Sequence, residues 1–98
     1  VIASKALVRV IRAMLDAEQR DEWEDAEIVR SGGECWCGLD RISPHTLDQG
    51  LRLCLFRSEG VGTSCERHTL NEDGRALAAD PTGYIPRILR CVAAGGQK

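Results

Sequence analysis

The order of patterned segments predicts a small α+β domain, mainly α, and three observations carry that expectation. Residues 43 to 59 join a Ser-Pro helix start to a leucine-lined stripe, with a glycine stop at Gly60. A turn-prone gap containing Gly62, Thr63 and Ser64 follows, with room for only two strands of a few residues. Asn71 then opens a second capped helix. Capped helix, small hairpin, capped helix is the layout of a winged helix-turn-helix with a short two- or three-stranded wing.

Length and composition bound the alternatives. With 98 residues, 43% hydrophobic and 29% charged, the chain fits one compact domain with a small core. No apolar run approaches the roughly 20 residues of a membrane-spanning helix, and Lys5, Arg9 and Arg12 interrupt the first apolar stretch. A cytoplasmic protein with no membrane partner is expected. Five cysteines, an odd number, with strong helical periodicity and no visible secretory leader, favour reduced thiols over a disulfide scaffold. The formal net charge of -2 lends nothing to a nucleic-acid role, so charge distribution has to carry that case.

Taken in order, Leu7, Val10, Ile11, Met14 and Leu15 recur at the spacing of one helix face, and Ser4 is a suitable N-cap, so a helix over 4–17 is expected. Trp23, Ala26 and Val29, with Ile28 alongside, suggest a second helix over 22–31 that ends at Gly32-Gly33. Residues 34 to 42 alternate Cys35, Cys37 and Leu39 against Trp36 and Gly38, which suits a short strand or an extended linker. Ser43-Pro44 starts a recognition helix over 44–58, with Leu47, Leu51, Cys54 and Leu55 along its apolar side. A wing over 61–70 and a helix over 72–79 follow, the latter with Glu72 and Asp73 in its first turn against the helix dipole. An amphipathic tail over 82–94 contains Tyr84, Ile85, Ile88, Leu89 and Val92.

In a helix-turn-helix the second helix lies in the major groove, with its first turn near phosphates and base edges. Ser43, His45, Thr46, Gln49 and Arg52 occupy the matching places, and Arg41 and Arg67 are candidates for phosphate contact. Gln pairs with adenine and Arg with guanine, each good bidentate pair giving roughly 1 to 3 kcal/mol of discrimination. An ordinary packed helix also presents a solvated polar face; what narrows the choice is the order helix, helix, capped helix, hairpin, capped helix.

The run S-P-H-T-L-D-Q-G-L-R-L-C-L-F-R-S-E-G-V, followed by H-T-L-N-E-D-G-R-A-L, resembles the PadR type of winged-helix regulators. More loosely it is similar to winged helices of the MarR type. Element order matches over roughly residues 6 to 79, and specific residues over 43 to 47, 59 to 61 and 70 to 77. The resemblance implies a homodimeric transcriptional repressor that reads a palindromic operator and is released by a small-molecule effector. Asp48 stands where the family commonly has Tyr, and would repel phosphate unless a base amino group or an arginine satisfies it.

Two further features remain open beside the DNA reading. Cys35, Cys37, Cys65 and His68 form a complete tetrahedral ligand set for zinc, and E-C-W-C-G-L echoes the metal-sensing stretch of ArsR-type repressors. Strand alternation would nevertheless put Cys65 and His68 on opposite faces, and free thiols acting as small hydrophobes are the simpler expectation, with no cofactor. Trp23 and Trp36 suit either the core or a planar ligand. A winged helix used for protein recognition is the other alternative, with Leu53 and Phe56 as anchors. No Gly-rich phosphate loop, nucleophile elbow or His-Glu metal motif is present, so no enzymatic activity is expected.

Overall fold

Alternation rather than helical periodicity governs residues 26 to 42, and this gives the domain a larger sheet than a wing requires. The computed structural model describes residues 3–90. Its elements run α1 (Lys5–Gln19), β1 (Glu27–Ser31), β2 (Glu34–Cys37), β3 (Asp40–Ile42), α2 (Pro44–Arg52), β4 (Phe56–Glu59), β5 (Cys65–Leu70) and α3 (Glu72–Ala79). The α+β class is as expected, but the sheet has five antiparallel strands in the order β3-β2-β1-β5-β4.

The helix expected over 22–31 is a correction. Ala26 and Ile28 are buried while Glu27 and Val29 are only partly so, the two-residue period of a strand. Gly32 and Gly33 both have positive φ (61° and 82°), the backbone of a tight hairpin turn, so they fold β2 back on β1 instead of ending a helix. As a result, no helix lies between α1 and α2.

The helix predicted over 44–58 is also shorter than expected. It stops at Arg52 because Leu53 is its C-cap and Cys54 takes left-handed φ (56°). The Cys54 amide donates to Leu51 and the Leu55 amide to Gly50, the paired bonds of a Schellman motif. Cys54 is therefore exposed rather than part of the apolar side, and residues 56 to 59 are strand β4 rather than helix. The strand pair expected over 61–70 accordingly starts at Phe56.

The capping residues act as their types dictate. Ser4 accepts from the Leu7 amide, Ser43 from the His45 amide and Asn71 from the Gly74 amide. Asn71 also donates from Nδ2 to the Cys54 carbonyl at 2.7 Å, fastening the start of α3 to the end of α2.

Leu7, Ile11 and Met14 of α1, Leu47 of α2 and Leu77 of α3 meet Ile28, Cys35, Ile42, Phe56 and Leu70 of the sheet in one core. All of these strand residues belong to one face. Across the sheet, Cys37, Ile28, His68 and Ser58 stand in one row, and Ile42, Cys35, Arg30 and Glu66 in the next. The helices cover this face. The other face carries Arg41, Trp36, Val29, Arg67 and Glu59 in a row, and none of them is buried. In the tail, Pro86 is buried and the Tyr84 hydroxyl donates to Asp73, tying residues 84–86 to α3; Val92 and the rest of the expected segment to residue 94 lie outside the described residues.

Candidate nucleic-acid interface

Helix α2 is built to bury one side and leave the other free. Pro44 takes the first helical position, where an amide would lack a partner, and Leu47 and Gly50 face the core. A Cβ on Gly50 would collide with the Phe56 ring, so glycine lets that ring seat against the helix. The outward side carries His45, Asp48, Gln49 and Arg52, of which His45, Asp48 and Arg52 are exposed.

Asp48 meets the condition set by the sequence, because an arginine satisfies it: Arg30 of β1 donates to its carboxylate at 2.8 Å. Arg30 also lies 3.8 Å from Glu66, so it is committed to two carboxylates. Gln49 accepts from the Ser4 amide at 3.2 Å, which places the start of α1 beside the middle of α2. The Lys5, Arg9 and Arg12 side chains follow along α1 and line one depression, and Arg9 also lines a groove with Arg41 and Ser43 at the start of α2. Among the described residues, Lys5, Arg9, Arg12 and Arg52 have no carboxylate partner. Arg57, on the far face of β4, and Arg90, over the Tyr84 ring, also make no ion pair.

The residues singled out from sequence divide accordingly. Ser43, His45, Gln49 and Arg52 share the open side of α2 and its first turn, whereas Arg41, though it edges the groove beside Ser43, stands in the far-face row next to Trp36 and is held by Glu34 at 3.2 Å. Thr46 is buried, since it falls on the core side of the helix. Arg67 is on the far face of the sheet, where its Nε donates to Glu27 at 2.9 Å, so it cannot reach the surface that α2 presents. Sequence reasoning passes over the three cations of α1 as site residues. Their spacing of four and then three residues puts them on one side of a helix, and that signal is visible in the sequence.

The four candidate metal ligands are not brought together. Cys35, Cys37 and His68 are on the helix-covered face, whereas Cys65, opposite Ser31, is exposed on the other. Ile28 separates Cys37 from His68, two strand spacings or roughly 10 Å across the sheet. Among the described residues no group of three or more His, Cys, Asp or Glu side chains is arranged to hold a metal ion. Burial, with the nearby Asp25 and Asp40 carboxylates, pushes the Cys37 thiol up to about 11, so it is protonated at neutral pH and its Sγ donates to the Asp25 carbonyl.

His68 is fully buried between Phe56 and the core, with Nδ1 2.7 Å from the Ser58 hydroxyl and Nε2 3.8 Å from Glu66. Burial holds its pKa below the ordinary value, with Arg30 acting in the same direction and Glu66 against it. The Ser58–His68 contact braces the β4–β5 pair. Phe56 is likewise buried, which removes one of the two anchors of the protein-recognition reading; Leu53 is half-buried. Comparison with protein-family models, with curated proteins and with solved structures finds no match for the chain.

Proposed function

We propose that the chain is a sequence-specific double-stranded DNA-binding module that regulates transcription, with α2 in the major groove and α1 against the flanking phosphates. A pattern of pairing supports this reading. Lys5, Arg9 and Arg12 of α1 and Arg52 of α2 have no carboxylate partner among the described residues, and Arg9 lines the groove at the start of α2, whereas six other arginines are each matched to an acid and Arg57 and Arg90, elsewhere, are not. A net charge of -2 is compatible with binding when unmatched cations gather on one face. The order helix, strand, strand, helix of α2, β4, β5 and α3 supports a winged reading, with the three-stranded meander β1–β3 standing where a helix ordinarily precedes the recognition helix. Homodimerisation and release by an effector, which the PadR resemblance implies, belong to the same proposal, and analytical ultracentrifugation with and without duplex tests the first.

Duplexes selected from a random-sequence pool provide the direct test, read by fluorescence anisotropy over a salt series. Arg9→Ala with Arg12→Ala is expected to weaken binding to every duplex and to flatten the slope of log K against log salt by about 2, at roughly 0.9 for each phosphate that is no longer neutralised. Arg52→Ala is expected to lose roughly 1 to 3 kcal/mol on the selected duplex only. Arg67→Ala, on the far face, is expected to change neither. If selection enriches nothing, or if the α1 double variant keeps the wild-type salt slope, the proposal fails.

A further inference from the structure

The sheet face turned away from the helices carries exposed aromatic surface that neither the core nor the α1–α2 interface uses. Trp23, Val29, Trp36 and Leu39 line a groove of about 680 Å³ with Glu24, Asp25, Glu27, Gly38 and Arg67. Trp23 is 57% exposed, Trp36 38% and Leu39 95%. A tryptophan has roughly 150 to 250 Å² to bury, so leaving two partly in water beside an exposed leucine forgoes a large hydrophobic gain. Exposed apolar surface with a polar rim of this kind marks an interaction site.

The groove is also held in shape. Trp36 sits in the middle of β2 between Val29 and Arg41 on the neighbouring strands. The Trp23 indole N–H donates to Asp21, itself fixed at left-handed φ (61°) where α1 ends. Two aromatic planes are therefore positioned before any partner arrives, which lowers the ordering cost of binding.

Charge identifies the occupant. Arg67 is the single cation in the lining, and Glu27 already holds it. Glu24 and Asp25 make no ion pair among the described residues. A guanidinium matches both halves of this surface, since its plane stacks on an indole face and its N–H fork reaches a carboxylate. Phosphate would meet three carboxylates instead. We propose that this groove is a docking site for an arginine-bearing segment of a protein partner, with the guanidinium against Trp23 or Trp36 and paired to Glu24 or Asp25, and apolar neighbours over Val29 and Leu39.

The two tryptophans of the chain both line the groove, so tryptophan fluorescence, excited selectively over Tyr84, reports on this face alone. The probes are an alternating arginine–leucine peptide of about ten residues, its glutamate–leucine counterpart and a single-stranded oligonucleotide of similar length. The arginine peptide is expected to shift the emission saturably. Glu24→Gln with Asp25→Asn is expected to weaken it about tenfold, with the melting temperature monitored alongside. Trp23→Ala, at an exposed position, is a second variant expected to weaken the peptide without unfolding the domain. No emission change with the arginine peptide, an equal response to the glutamate peptide or the oligonucleotide, or a shift on protein concentration alone that marks a second copy in the groove, each overturns the proposal. Arg9→Ala with Arg12→Ala leaves this titration unchanged, so failure at one face is distinguishable from failure at the other.

Discussion

His68 shows how a side chain that looks like a ligand in sequence becomes a pH-dependent element of the core. Its imidazole is buried in the neutral form, with a pKa below the unfolded value of about 6.5. Between those two values the unfolded chain binds the extra proton, so acidification favours unfolding: the full stability is present above about pH 6.5 and declines as pH falls below it. Urea denaturation from about pH 7.5 to about pH 5 should show this loss, with a slope of at most about 1.4 kcal/mol per pH unit from this group. His68→Leu should flatten that part of the profile, and parallel profiles for the two proteins would sink the assignment. Cys54 makes the same point about the backbone. As a left-handed residue closing a Schellman motif it stands where glycine is ordinarily preferred. Cys54→Gly is expected to stabilise the domain by about 0.5 to 1 kcal/mol and raise the melting temperature by a few degrees, whereas Cys54→Val should lower it. Nothing in the periodicity of L-R-L-C-L-F announces that break, because Cys54 fits the apolar stripe and no glycine stands there.

At the scale of elements, legibility followed the kind of signal present. Helix α3 spans Glu72–Ala79 as expected from Asn71 and two acidic residues, and α1 runs two residues beyond its expected end at residue 17. Both carry a cap and a long enough period. β1 was hidden because E-D-A-E-I-V-R offers apolar residues at both helical and strand spacing, and Gly32-Gly33 serves equally as a helix stop and as a hairpin turn. What decides is the long-range pairing of β1 with β5, forty residues away for Arg67 and Glu27, which no local pattern encodes. Gly74 is a further case of tertiary packing overriding propensity. In a helix, Gly→Ala ordinarily stabilises by about 1 kcal/mol. Here a Cβ would press on the Leu55 carbonyl and on the Leu70 side chain, where α3 crosses the end of α2 and β5. Gly74→Ala is therefore expected to destabilise by roughly 1 to 3 kcal/mol in denaturant titration. A stabilised variant would mean that α3 does not pack so closely.

For the whole molecule, the sheet separates two surfaces: the unpaired cations of α1 and α2 lie on the helix side, and the groove of Glu24, Asp25 and the two tryptophans lies on the other, which also carries the unpaired Arg57. The sequence shows neither, because its summed charge of -2 averages over both. Their coupling through charge is bounded by solvent screening. Exposed unit charges about 10 Å apart interact by about 0.4 kcal/mol in water, and a Debye length of about 8 Å at physiological salt removes most of that. Filling the acidic groove with an arginine peptide should thus change DNA affinity by less than about twofold at physiological salt, and the residual effect should be favourable, since it masks negative charge. Anisotropy titration of a duplex with and without saturating peptide measures this directly. A larger change that persists at high salt cannot be electrostatic, and would require the β1–β2 hairpin, which carries Trp36 on one face and Arg30 against α2 on the other, to transmit a shift between the two sites.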